Sequence, residues 1–153
     1  MTAGNLLVLN AGSSSVKSAV FERAGADLRA RLRIAVHGVG SAAPVMRWHA
    51  DAQSGAEAVA PDTVRDHAAA CAWLLSRVRA WPHLAPPIAA GHRIVHGGQS
   101  FAQPVRLDQQ TLRALAALRP LAPLHQDAGL AGVEAVSRAW PGLPQVACFD
   151  TAF

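Results

Sequence analysis

An α/β fold with a mixed sheet is what this sequence predicts, and three observations predict it. Two-residue alternation dominates the first fifty or so residues, helix-like apolar spacing appears only from Asp62 onward, and apolar strands then alternate with helices to the end of the chain. Strands first and helix–strand alternation later imply antiparallel pairing early in the chain and parallel pairing late. The 153 residues, 51% hydrophobic and 16% charged, suit a single core, so one domain spanning 1–153 is expected.

The elements follow in order. Asn5 to Leu9 reads as a short buried strand, Asn10 to Ser15 as a turn, and Val16 to Glu22 as a second strand, together a hairpin with a serine-rich tip. Leu28 to Val36 alternates again, with Leu28, Ala30, Leu32, Ile34 and Val36 on one face and three arginines on the other. Val45 to Ala50 is a weaker strand, and a loop rich in Ala, Gly and Ser leads from it to Pro61. Asp62 or Thr63 should cap a helix that carries Val64, Ala68, Cys71, Leu75 and Val78 on one side and stops near Trp81 and Pro82. Ile88 to Val95 has the apolar character of a central strand and ends at Gly97 and Gly98. Asp108 caps a helix through Leu118, a loop follows around Pro120 and Pro123, a helix runs from about Gln126 to Trp140, and Gln145 to Asp150 is a buried strand. There is no internal repeat or low-complexity tract.

Composition excludes several classes of function. The net charge of +4 and the pI near 10.4 raise nucleic-acid binding, but the cations, all Arg except Lys17, are dispersed from Arg23 to Arg138. Aromatics are only 5% of the chain, so no stacking or phosphate-tracking surface is signalled and no nucleic-acid partner is expected. No apolar run approaches the roughly 20 residues of a membrane span. The N-terminus lacks the features of a secretory signal, which sets the expected compartment as the cytoplasm. Cys71 and Cys148 are too isolated for a disulfide framework or a metal-spacing motif, and read as small packed residues.

The hairpin tip is the first chemical feature. Asn10, Gly12, Ser13, Ser14, Ser15 and Lys17 place an amide, three hydroxyls, flexible backbone and a cation within eight residues. Gly12 permits close approach or a positive φ, and consecutive N–H and hydroxyl groups donate well to phosphate oxygens. A plain serine-rich turn is the alternative. Walker A spacing is absent. Ser14 and Lys17 satisfy the S-x-x-K pattern of penicillin-recognising hydrolases, but that pattern should open a helix where this sequence reads as strand.

Arg93 lies with His92 and His96 in the apolar segment before Gly97. A buried arginine requires an anionic partner, either a ligand or one of the ten acidic residues in a structural ion pair. Both histidines read as packed and hydrogen-bonded, because their i, i+4 spacing in a strand is not a helical metal-ligand arrangement. Asp150, at the end of the last strand, occupies a favoured position for catalytic carboxylates, or else caps the next turn.

Four ordered segments carry a resemblance: N-A-G-S-S-S-V-K at 10–17, G-H-R-I-V-H-G-G at 91–98, A-P-L-H at 122–125 and F-D-T-A-F at 149–153. From Leu6 onward the chain resembles acetate kinases. The resemblance implies a ribonuclease H-like domain of the acetate and sugar kinase, Hsc70 and actin superfamily, in which two such domains enclose the substrates. It implies reversible phosphoryl transfer from ATP to acetate, giving acetyl phosphate and ADP, with Mg²⁺ as cofactor and a homodimeric full-length protein. Propionate kinase is the neighbouring possibility, and a non-catalytic phosphate-binding module is the other.

Carried over by motif, Asn10 resembles the magnesium-associated position and Lys17 the ATP-associated one. Gly12, Ser13 and Ser15 match the phosphate-side loop. Arg93 resembles the arginine that binds the substrate carboxylate, with Val95 and Leu124 lining the methyl pocket. Asp150 matches the acidic residue described as proton donor or acceptor. Acetate is already ionised near pH 7, however, so its attack on phosphorus needs no base, and the expected role of Asp150 is to orient Mg²⁺ or its water shell. After A-P-L-H the sequence continues with Gln126 and Asp127 where many relatives have Asn-Pro or Gln-Pro, which bears on how the next helix begins. The family chain is more than twice as long, so the C-terminal domain and much of the active site are expected beyond Phe153, and the 153 residues alone are expected to be inactive.

Overall fold

The computed structural model describes residues 3–150; Thr151, Ala152 and Phe153 of the last motif lie outside the described residues. Strands β1 (Gly4–Ala11), β2 (Ser15–Ala24), β3 (Asp27–His37), β4 (Val45–Ala50) and β5 (Gln53–Ala58) form an antiparallel meander. Helix α1 (His67–Arg79) leads to β6 (Pro87–Ile94). A two-residue strand β7 (Val105–Arg106), helices α2 (Gln109–Ala116) and α3 (Pro123–Ala139), and β8 (Gln145–Phe149) complete the chain. The sheet order is β5-β4-β3-β2-β1-β6-β8-β7, with β1, β6 and β8 parallel and β7 antiparallel to β8. The sheet is therefore mixed, with the antiparallel meander on one side and the parallel strands on the other, as the element order predicts.

Alternation sends one side of β1 to β4 into the larger of two hydrophobic cores, while Ile94, Leu115, Ala147 and Phe149 form the smaller one. Leu7, Leu9, Val16, Val20, Leu32, Ile34, Val36 and Met46 are buried and pack against Cys71, Leu74, Leu75 and Val78 of α1 and Val136 of α3. Each fully buried Leu or Val contributes about 1.5–3 kcal/mol relative to exposure. Burial pushes the Cys71 thiol up to about 12, so it is an inert core group. The contacts of α1 with β2 and β3, and of α3 with β1 and β6, belong to this face. On the opposite face an open groove of about 390 Å³ is lined by Asn10, Lys17, Arg33, Arg47 and His49 among others. No described helix is long and apolar enough to cross a membrane.

Several boundaries differ from the sequence reading. The β2–β3 pairing shifts register between Val20 and Phe21, so Phe21 pairs with Ala30 while Val20 pairs with Leu32. This bulge reverses the phase of the outer half of β3, leaving Leu28 58% exposed instead of on the buried face. β5 has no β-branched or aromatic residue, and it forms because it pairs along the whole of β4. Pro61–Val64 is a 3-10 turn, and α1 starts later, with Asp66 as its cap accepting from the Ala69 N–H at 2.8 Å. Ala68 is exposed, and Ala70 and Leu74 take its place on the buried stripe. Helix α3 begins at Pro123, which suits a first helical position, so Leu124 and His125 are helical and not in a loop. Asp108 caps α2 as expected, accepting from the Thr111 N–H at 2.7 Å.

The two aspartates near α1 separate cleanly. Asp66→Ala should lower the unfolding free energy by about 1 kcal/mol, the usual worth of a helix cap, whereas Asp62→Ala should change it by under about 0.5 kcal/mol. Chemical denaturation of both variants checks this; equal losses would contradict the capping assignment.

Candidate active site

Because Leu7, Leu9 and Ala11 face the core, Asn10 faces the other way, and its cross-strand partner in β2 is Lys17. The same parity operates in β6, where Ala90, His92 and Ile94 are buried and Arg93 is exposed. Arg93 pairs in register with Cys148 of β8, and the chain reaches Asp150 two residues later. Three strand ends thereby bring Asn10, Arg93 and Asp150 together. Arg93 donates from Nε to Asp150 Oδ1 at 2.8 Å, from Nη2 to Asp150 Oδ2 at 2.6 Å and from Nη1 to Asn10 Oδ1 at 3.2 Å.

The side chains of Arg93 and Asp150 are 50% and 35% exposed, so Arg93 is not the buried arginine inferred from its apolar neighbours. The run is apolar on one face only, and Gly91 and Arg93 occupy the other. Its anionic partner is a protein carboxylate, one of the two alternatives the sequence leaves open. The bidentate bond to Asp150 is the larger cause raising the guanidinium pKa further, so Arg93 is a permanent cation.

Asn10 Oδ1 and the Asp150 carboxylate are hard oxygen donors already holding one cation, the guanidinium, between them. One carboxylate and one amide oxygen match the sparse protein contribution that Mg²⁺ accepts when substrate phosphates and waters supply the rest. The donor set fits the metal that the motif resemblance implies.

The hairpin tip lies at the end of β1. Gly12 N–H donates to the Ser15 carbonyl at 2.8 Å, and the Ser14 carbonyl accepts from the Gly38 and Val39 N–H groups, each at 3.0 Å. Gly12 does not have a positive φ; a Cβ there would stand 3.3 Å from Ser15 Oγ, so closeness and not handedness favours glycine. Among the described residues, the N–H groups of Ser13 and Ser14, the hydroxyls of Ser13, Ser14 and Ser15, and Lys17 have no hydrogen-bond or ion-pair partner. Ser15 opens a strand, not a helix, which removes the structural context the S-x-x-K reading needs.

Val95 is partly buried just beyond β6, and Leu124 is 79% exposed in the first turn of α3. The two glycines after His96 have separate reasons. A Cβ on Gly97 would meet the Phe101 carbonyl and the Phe149 ring, and Gly98 has φ 61°.

Two further residues bear on the site, and neither is among the site residues that the motifs suggest. His67, the first residue of α1, places Nε2 2.5 Å from the Gly12 carbonyl. Its signal is an Asp-His pair opening an apolar helical run. Gln126 is fully buried and donates from Nε2 to the Leu115 carbonyl at 2.9 Å and the His96 carbonyl at 3.3 Å, tying the start of α3 to α2 and to the end of the β6 segment.

His92 is packed and hydrogen-bonded, as expected. Its Nε2 lies 2.6 Å from Gln145 Oε1, while Gln145 Nε2 donates to Ser137 Oγ and Ser137 donates to the Val133 carbonyl. His96 Nδ1 accepts from the Gly98 N–H at 3.0 Å. Burial pushes the His92 pKa down from its ordinary 6.5, opposed by the Gln145 bond. An unfolded chain takes up a proton below about pH 6.5 that the folded chain refuses, so stability is full above that value and falls as the pH drops through it. The thermal midpoint should decline on acidification from about pH 7.5 to 5.5. In His92→Gln the decline should be shallower; an identical slope in the variant would contradict the assignment.

The structure thus joins a mixed α/β sheet, an arginine held between an amide oxygen and a carboxylate, and a hairpin tip rich in hydrogen-bond donors. The sequence model of the Acetokinase family matches residues 5–153, and the chain belongs to that family. An acetate kinase of Pseudomonas aeruginosa is 40% identical over 100% of this chain and 37% of its own length. The crystal structure of Porphyromonas gingivalis acetate kinase superposes with a TM-score of 0.83 at 31% identity, covering 98% of this chain and 38% of that one. A propionate kinase of Francisella tularensis gives 0.82 at 30% identity, covering 97% and 37%. The fold is that of the acetate and sugar kinase, Hsc70 and actin superfamily, and the chain spans somewhat over a third of the length of these relatives.

Proposed function

We propose that this chain is the N-terminal ribonuclease H-like domain of an acetate kinase acting in the cytoplasm as a homodimer, with activity residing in a polypeptide of the relatives' length. The observation that carries this reading is the convergence of Asn10, Arg93 and Asp150 beside a donor-rich hairpin, in a chain of the Acetokinase family.

In the proposed reaction one carboxylate oxygen of acetate attacks the γ-phosphorus of ATP, the bond from phosphorus to the β,γ-bridging oxygen breaks, and ADP leaves with the electron pair. Arg93 binds the acetate carboxylate through the N–H groups it now donates to Asp150, and Val95 and Leu124 belong to the wall that receives the methyl group. The Ser13 and Ser15 hydroxyls and the Ser13 and Ser14 N–H groups donate to phosphate oxygens, Gly12 lets the backbone come close, and Lys17 offers a compact ammonium on the same side of the sheet. Asn10 and Asp150 would hold Mg²⁺ or its water shell. Bound there, the metal would neutralise charge developing on the transferred group. Transfer depends on such positioning and electrostatics, and acetate needs no base to attack.

Assaying acetyl phosphate formation in a chain of the relatives' length should show activity that requires ATP and a carboxylate acceptor, with propionate run beside acetate because of the Francisella relative. The isolated 153 residues should turn over at background. Asp150→Asn should alter the Mg²⁺ requirement and leave the pH profile in place. An unchanged Mg²⁺ requirement with a displaced pH profile would instead make Asp150 an acid–base group.

A further inference from the structure

The carbonyl groups of the hairpin tip are held by different donors. Ser15 accepts from Gly12 within the tip, and Ser14 accepts from Gly38 and Val39 in the turn after β3. Of the others, the Gly12 carbonyl has a partner from elsewhere in the fold, Nε2 of His67 at 2.5 Å across a sequence separation of 55. His67 is partly buried, and its backbone is anchored by the Asp66 cap at the start of α1. α1 in turn is fixed to the sheet by Cys71, Leu74, Leu75 and Val78. The imidazole is therefore a rigid post and the glycine carbonyl a soft one.

We propose that His67 is a positioning residue for phosphate recognition: its Nε2–H holds the Gly12 carbonyl on the α1 side, so that this oxygen is not turned toward the ligand. An anion bound by backbone N–H groups is repelled by a carbonyl oxygen turned toward it, and glycine, lacking a Cβ, gives little intrinsic resistance to a peptide flip at this position. The Ser14 and Ser15 carbonyls are restrained by backbone amides, which no side-chain change removes. The Gly12 carbonyl is restrained by one side chain. This inference rests on reading the hairpin as the phosphate site, and no role for His67 is needed by the reaction scheme itself.

The bond requires the proton on Nε2, which assigns the neutral tautomer. Imidazole ¹⁵N shifts of the unmodified chain above the histidine titration should show Nε2 protonated and Nδ1 bare; the reverse tautomer would overturn the proposal without any variant. Backbone amide spectra of the same chain, titrated with inorganic phosphate, should show saturable shifts at Ser13 and Ser14. His67→Leu, which removes the donor, should weaken that binding by about tenfold, the scale of one hydrogen bond. His67→Gln, which keeps an N–H, should restore most of it. Exchange protection of core amides in β1 and β2 should be the same in all three chains. If His67→Leu binds phosphate as the unmodified chain does, the positioning role is wrong while the phosphate reading stands. If the unmodified chain shows no response at Ser13 and Ser14, the phosphate reading falls and this inference with it.

Discussion

The Arg93 guanidinium is the point at which three strand ends meet, and the arrangement of the proposed site depends on it. It spans from Asn10 at the end of β1 to Asp150 just past β8, while its own backbone is in β6 between them. Half-exposed ion pairs contribute little to stability, on the order of 1 kcal/mol or less. The core made by α1, α3 and the sheet is ample without it. What the bridge does is keep two oxygen donors and one permanent cation in register at a site where all three can change partners. In the proposed site a ligand carboxylate, with the same shape and charge as the Asp150 side chain, would take its place on the guanidinium and leave Asp150 free to meet a metal.

That geometry follows from strand parity. Once Leu7 and Leu9 are committed to the helix-covered face, Asn10 has no choice of side, and the β1–β2 register brings Lys17 opposite it. In β6 the burial of His92 and Ile94 sends Arg93 out in the same way. His92 contributes indirectly, since its chain of bonds through Gln145 and Ser137 locks β6, β8 and α3 together beneath the bridge. The core and the site are two faces of one alternation pattern.

Much of this was legible in the residues. Motifs named Asn10, Lys17, Arg93 and Asp150, and the hairpin, the central strand and the last strand fell where alternation and apolar runs placed them. The exposure of Arg93 runs against its apolar neighbours because the run is buried on one face only, where Ala90, His92 and Ile94 alternate with Gly91 and Arg93. The late start of α1 was hidden because Asp62 and Asp66 are equally good caps in sequence, and a 3-10 turn over Pro61–Val64 decided between them. β5 could not be found from propensity, since Gln-Ser-Gly-Ala-Glu-Ala owes its extended form to β4. The β2–β3 bulge, which exposes Leu28, is a property of pairing and has no local signature. The role of His67 rests on a contact that spans 55 residues of chain and has no local signature.

In the proposed site the Arg93–Asp150 bridge is an anion receptor closed on its own carboxylate. The most direct measurement is the Arg93 Nε–H resonance of the chain during titration with acetate, with chloride at equal ionic strength as the control. Displacement of Asp150 predicts a saturable shift with acetate and none with chloride. A resonance that acetate leaves where chloride leaves it would contradict the claim.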